Sequence, residues 1–129
     1  MIVVNPKATK EITIKDAKFN VGIVPYGKRM EIESLVSGKN ENMTPEVMKI
    51  LMSQGAEFVR WGIKGHSGVK FTDGSDVPFK SKKEKIGEIE YDIVSDDTME
   101  IYGATPGLIS ELAAAVTDFN YLGAKETKN

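Results

Sequence analysis

Leu108, Ile109, Leu112, Ala115, Val116 and Phe119 recur at the spacing that places side chains on one face of an α-helix, and they form the clearest periodic element in the chain. Thr105 and Pro106 stand ahead of this stripe as a capping residue followed by a proline whose fixed φ suits a first helical turn. Gly123 stands after it as a closing residue. A helix with a single apolar face needs another element to cover that face, so the preceding sequence must supply the covering surface.

Upstream, Ile12 and Ile14 alternate with Thr13 and Lys15, and Phe19, Val21 and Ile23 alternate with Asn20 and Gly22. Period-two alternation predicts two strands, joined by Asp16-Ala17-Lys18 in a hairpin. Pro25-Tyr26-Gly27 ends the second strand, and Ile32, Leu35 and Val36 predict a short helix from Lys28 to Ser37 with Gly38 as its cap. A second helix starts at Thr44-Pro45-Glu46, where N-cap, proline and first-turn acid coincide. Val47, Ile50, Leu51 and Phe58 give its stripe, and Gly55 either ends it or weakens it.

Phe58 to Ile63, with its β-branched and aromatic residues, is expected as a strand. Val69 and Phe71 alternate with Lys70 and Thr72, Asp73-Gly74 is a tight-turn signal, and Val77-Pro78-Phe79 resumes the apolar run, so a small irregular hairpin is expected between Trp61 and Phe79. The lysines at 80, 82, 83 and 85 are expected in a solvated loop, and Glu88 to Asp92 as either a further strand or a mobile linker. Ser95-Asp96-Asp97 opens a short helix carrying Met99, Ile101 and Tyr102. The expected fold is therefore α+β: a small, mainly antiparallel sheet against two or three helices, with the C-terminal helix in the core. At 129 residues it forms one domain, with residues 1–10 and 123–129 as flexible ends.

Composition narrows the chemistry. The chain has no cysteine, which removes disulfides, thiolate nucleophiles and zinc–thiolate sites. A formal net charge of -2 gives no overall attraction to polyanions. The apolar start MIVV stops at Asn5-Pro6, too short for a signal-peptide core or a membrane span, so the expected location is the cytoplasm of the cell that makes the protein, or an assembly formed there.

The segment RWGIKGHSGVKFTDGSDVPFK contains the single tryptophan and the single histidine. A phosphate loop needs its glycines between a strand and a helix, followed by lysine and a hydroxyl residue; here Lys64 precedes Gly65 and the next segment is strand-like. His66-Ser67 does not make a hydrolase pair, because neighbouring side chains of a strand point to opposite faces, and Val69 stands where a nucleophile elbow requires glycine. His66 is then expected as a solvated loop residue. The acids at 88, 90, 92, 96, 97 and 100 match no calcium-loop pattern and are expected on solvent faces. No catalytic residue, metal ligand or cofactor site is read from the sequence. Trp61, Lys64, His66, Phe71, Phe79 and Phe119 remain as interface candidates, with core burial the leading reading for Trp61.

The order of features between residues 18 and 129 resembles a loose group of small proteins from the structural gene modules of tailed bacteriophages and prophages. The matching residues are Trp61, Gly62, Lys64 and Gly65, then Asp73, Gly74, Val77, Pro78 and Phe79, and finally Glu111, Leu112, Ala113, Val116, Asn120 and Leu122. This chain places its tryptophan before the Gly-Ile-Lys-Gly segment and has His66 in the slot usually held by an aromatic residue. The resemblance implies a non-enzymatic role in virion or tail assembly, exercised by binding further copies of the chain or other phage structural proteins, in the host cytoplasm or in the particle. A different expectation is a small inhibitor whose acidic stretch, Glu88 to Glu100, faces a basic site on a host factor.

Overall fold

The computed structural model describes residues 1–34 and 44–126, with side chains described through Tyr121. Among these residues five strands form two antiparallel sheets accompanied by four helices, and the fold is α+β. The expected helix end at Ser37-Gly38 lies outside the described residues.

Strands β1 (Thr9–Ile14) and β2 (Ala17–Gly22) make the expected hairpin, paired from Thr9 opposite Gly22 to Ile14 opposite Ala17. Its connection is shorter than expected: Lys15 and Asp16 alone turn the chain, both with positive φ (50° and 68°), a geometry whose twist matches that of the flanking strands. Ala17, Phe19 and Val21 alternate inward and are buried, while Lys18 and Asn20 face water. Helix α1 (Tyr26–Ser34) follows and buries Ile32.

Helix α2 (Pro45–Gly62) begins as the sequence predicts, with the Thr44 hydroxyl accepting from the Val47 amide at 3.1 Å. It does not end at Gly55. The segment from Phe58 to Gly62, expected as a strand, is the last part of this helix and buries Phe58, Val59 and Trp61. A helix already under way adds each residue at little cost, and packing of these three side chains outweighs the β preference of their types. The Ile63 amide makes the last helical bond, to the Val59 carbonyl, and Ile63 is also the first residue of strand β3 (Ile63–Ser67). Helix passes into strand without a loop.

β3 pairs with β2, giving the order β1-β2-β3. The expected Trp61–Phe79 hairpin is therefore replaced by β3 on the main sheet and a small loop that closes on itself, with the Val77 amide bonded to the Val69 carbonyl at 2.9 Å and Lys70 bridged to Asp76. The lysine run is strand rather than loop: β4 (Ser81–Ile86) pairs with β5 (Ile89–Val94) as a separate two-stranded sheet. Helix α3 (Asp96–Ala104) has the predicted Ser95 cap. Thr105 closes α3 instead of opening the next helix, and α4 (Leu108–Glu126) starts after Gly107, at φ 78°, and continues past Gly123.

Leu108, Leu112, Val116 and Phe119 of α4 are buried in one cluster with Phe19, Val21, Val59, Ile63 and Tyr102. Two contacts set the position of α4. A Cβ added at Gly62 would stand 2.4 Å from Cγ1 and 2.8 Å from Cγ2 of Val116, so the α2 backbone lies directly against that side chain. The Asn120 side chain ties α4 to the end of β2: its Oδ1 accepts from the Val24 amide at 2.8 Å, and its Nδ2 donates to the Gly22 and Val116 carbonyls at 3.1 and 2.8 Å. Asn120, noted in the sequence within a motif, satisfies backbone groups that a strand end leaves open.

Gly62→Ala should cost roughly 1–3 kcal/mol of folding stability by overpacking. Both Val116 methyls and its Cβ crowd the position, so the valine or the helix that carries it must shift to admit a methyl group. Chemical denaturation of Gly62→Ala, Val116→Ala and the double variant should show the double variant losing less than the sum of the single losses; strict additivity would contradict the contact.

Candidate interaction surfaces

β2 and β3 are not in simple register. Phe19 faces His66 and Asn20 faces Gly65, but Val21 faces Ile63, which leaves Lys64 as an extra residue in β3. This bulge changes the parity of the strand. In regular alternation Ile63 and His66 would lie on opposite faces; with Lys64 set aside, Ile63 joins Val21 and His66 joins Phe19 on the core side. Glycine within a strand, here Gly65, is the sequence signal that marks such a place.

His66 is consequently not a solvated loop residue. It is half-buried, and both ring nitrogens have partners: Nε2 lies 2.8 Å from the Val77 carbonyl and Nδ1 lies 2.6 Å from the Tyr102 hydroxyl. A carbonyl only accepts, so Nε2 carries the proton and Nδ1 accepts from Tyr102. Phe79 stands edge-on to the imidazole at 5.3 Å, and Phe19 contacts both His66 (6.0 Å) and Tyr102 (5.9 Å) edge-on. Burial pushes the Tyr102 phenol far above its usual range, so it stays a proton donor. This polar centre is internally satisfied. Neither partner is a carboxylate, and neither imidazole nitrogen is left over to take a proton from a substrate or to bind a metal.

The other candidates separate. Trp61 is buried on α2, edge-on to Tyr91 at 6.1 Å, with the Lys28 ammonium 4.9 Å above its ring. Lys64 lays its stem over Gly22 and donates to the Asp92 carbonyl at 3.1 Å; burial lowers its pKa, opposed by the charge of Asp92. Phe119 is buried in the core, while Phe71 is exposed on the closed loop, where Asp73 accepts from the Ser75 amide and hydroxyl. The structure thus brings His66 and Phe79 together and leaves Phe71 as an exposed aromatic.

The acids are distributed rather than clustered. Asp92 pairs with Lys83 across the β4–β5 ladder at 2.6 Å, Glu90 stands opposite Lys85, and Asp96 accepts from Arg60 at 2.8 Å with Lys82 at 3.5 Å. Among the described residues, no group of three His, Cys, Asp or Glu side chains is placed to hold a metal ion. No helix among them is long and apolar enough to cross a membrane.

Two apolar surfaces escape a residue-by-residue reading of the sequence. The first is a groove of about 840 Å3 between α2 and α4, with Met48, Leu51 and Met52 on one side, Ile109 and Ala113 on the other, and Tyr121 also lining it. Gly55 and Ala113 bring the helices close there, since a Cβ at Gly55 would touch the Ala113 methyl at 3.5 Å. Met48 and Met52 remain 46 % and 69 % exposed. The second is the segment Met1–Val4, whose Ile2, Val3 and Val4 are 89 %, 84 % and 77 % exposed. A turn follows it, in which Asn5 accepts from the Lys7 amide through its side chain and from the Ala8 amide through its carbonyl. The signals for both were present: methionines at helical spacing and an unbroken apolar tetrapeptide. Their exposure depends on tertiary placement.

Tyr102→Phe should destabilise the protein by about 1–3 kcal/mol, because it strands the Nδ1 acceptor, and His66→Phe should cost more, because it strands both the Val77 carbonyl and the Tyr102 hydroxyl. Thermal or denaturant melts of the two variants check the order. A second expectation concerns pH. The Arg60 guanidinium, followed by Lys82, holds the Asp96 carboxyl below the ordinary value of 3.8. A depressed folded pKa stabilises above the unfolded value and loses that contribution as pH falls through the folded value. Asp96→Asn should therefore lower the melting temperature at neutral pH, and its difference from wild type should shrink as the pH falls below 3.8 and through the folded value. Comparison with protein-family models, curated proteins and solved structures returned no match.

Proposed function

We propose that this is a non-enzymatic phage or prophage protein that acts by binding other proteins in virion or tail assembly, with the α2–α4 groove as its docking surface. The observation that carries the binding role is the groove itself, open among the described residues, largely apolar and rimmed by exposed methionines, whose flexible thioethers adapt to a partner's shape. The internal satisfaction of His66 agrees with a role other than proton transfer. The phage setting rests on the order of motifs from Trp61 through Asp73-Gly74 and Val77-Pro78-Phe79 to Asn120 and Leu122. The partners are further copies of the chain, other structural proteins, or both. The inhibitor alternative draws less support, because lysines of β4 interleave with the acids of β5 and break up a single-sign face.

Met52→Glu tests this reading. The residue is 69 % exposed, so the substitution should leave the melting temperature within a degree or two while placing a charge on the groove. Tagged wild-type protein, co-expressed with the products of the genes flanking its own, should pass through gel filtration as a complex, homomeric or mixed, which Met52→Glu weakens by roughly tenfold or more. A strict monomer that retains no partner would overturn the proposal.

A further inference from the structure

Asp73-Gly74 is the one place in the chain where an aspartate or asparagine stands before glycine. In such a pair the side-chain carboxyl carbon and the next backbone nitrogen are the two ends of a five-membered ring that can close, and glycine has no side chain to obstruct the closure. The pair lies in the closed loop between Val69 and Val77, where Phe71 to Asp76 are all exposed. Gly74 has φ 89°, and a Cβ placed there would meet nothing within 4 Å. We propose that Asp73-Gly74 is a site of spontaneous backbone modification, converting aspartate to isoaspartate when the loop opens, and that Ser75 holds the conversion in check while the loop is closed. Neither Asp73 nor Gly74 lines the α2–α4 groove, so the site stands apart from the binding role.

The chemistry needs no co-reactant but water. The Gly74 nitrogen attacks Cγ of the neutral Asp73 carboxyl, a C–N bond forms, and the N–H proton and the carboxyl OH leave together as water. Water then adds to the resulting succinimide. Attack at Cγ restores aspartate, whereas attack at the Asp73 main-chain carbonyl carbon breaks its bond to the Gly74 nitrogen and routes the backbone through Cβ and Cγ. The product has the composition of the starting chain and a longer main-chain path. Three hydrogen bonds oppose the first step. Oδ1 of Asp73 accepts from the Ser75 amide at 2.9 Å and from the Ser75 hydroxyl at 2.6 Å, and the Gly74 amide donates to the Phe71 carbonyl at 2.9 Å. The Ser75 hydroxyl, followed by its amide, also holds the Asp73 carboxyl below its ordinary value of 3.8, and a carboxylate is a far poorer electrophile than the neutral acid. The loop is closed at its base, where the Val77 amide bonds to the Val69 carbonyl at 2.9 Å and His66 holds the Val77 carbonyl at 2.8 Å. Local opening there frees both reacting groups. An isoaspartate lengthens the path between Phe71 and Ser75, whose amide-to-carbonyl bond at 2.9 Å belongs to the closed loop, so the conversion leaves a lasting mark of loop opening.

The test uses the full-length protein, incubated at about pH 5, roughly one unit above the ordinary aspartate value. Isoaspartate at residue 73 is read by peptide mapping with mass spectrometry, and wild type denatured in guanidinium supplies the unshielded rate. Folded wild type should convert roughly tenfold or more slowly than the denatured chain. Ser75→Ala, checked as folded by its melt, should convert roughly threefold to tenfold faster than folded wild type, because the hydroxyl bond to the carboxylate is gone. Gly74→Ala should suppress the conversion in the denatured chain, where folding plays no part and the added methyl obstructs the nitrogen. Equal rates in folded and denatured wild type would overturn the shielding by the loop. Equal rates in folded wild type and folded Ser75→Ala would overturn the role of Ser75. A denatured chain that gains isoaspartate elsewhere while residue 73 stays unchanged would remove the site altogether.

Discussion

The absence of a side chain at Gly62 is the constraint on which the arrangement depends. It lets the end of α2 rest against both methyls of Val116, and the same residue hands the chain directly from helix to strand. With α4 held there, its stripe from Leu108 to Phe119 covers Val59, Ile63 and the inner face of β2, and Asn120 reaches the backbone where β2 ends. The glycines that first invite a reading as a catalytic loop thus serve geometry: Gly62 permits close approach, Gly65 sits in the bulged strand, and Gly68 adopts φ 77° where β3 ends.

The bulge at Lys64 shows how one extra residue decides what a neighbour does. Through it the single histidine faces inward and, half-buried, is held against the apolar core by a tyrosine hydroxyl and a backbone carbonyl. A partly buried polar network with every member satisfied costs little stability and favours one packing arrangement over its competitors. The loop from Val69 to Val77 is anchored by the same histidine, so Val77 is buried although its neighbours are exposed.

Local signals in the sequence were reliable where the physics is local. Thr44-Pro45 and Ser95-Asp96 mark helix starts because a hydroxyl next to free amides makes its bond within the same turn. The alternation in β1 and β2 reports a sheet with one buried face. Errors arose where a longer-range term wins. Phe58 to Trp61 have strand-like composition, yet they complete a helix because their side chains fill the space beneath α4 and the sheet. Thr105-Pro106 has the composition of a helix start, yet the Thr105 amide and hydroxyl bond back to Tyr102 and Ile101 and finish the preceding helix. Gly123 did not stop α4, since a glycine permits a cap without requiring one. The groove is the least legible feature: methionines at helical spacing, such as Met48 and Met52, fill core gaps as readily as they line a surface, and the placement of α2 against α4 leaves these two exposed.

The β4–β5 hairpin has a different dependence on its sequence. Every residue of β4 is exposed, so no side chain in that strand is tested against the core. The hairpin is held at its base, where the Ser95 amide bonds to the Lys80 carbonyl at 2.9 Å and the Lys80 amide bonds to the buried Thr98 hydroxyl at 3.1 Å. Inheritance can therefore act on β4 with few penalties for folding: lysines may be exchanged for acids or aromatics while the clamp at Lys80 and Thr98 keeps the strands aligned. The outer strand β4, unlike β5 with its buried Ile93 and Val94, is thus a surface on which new chemistry can be written without disturbing the core.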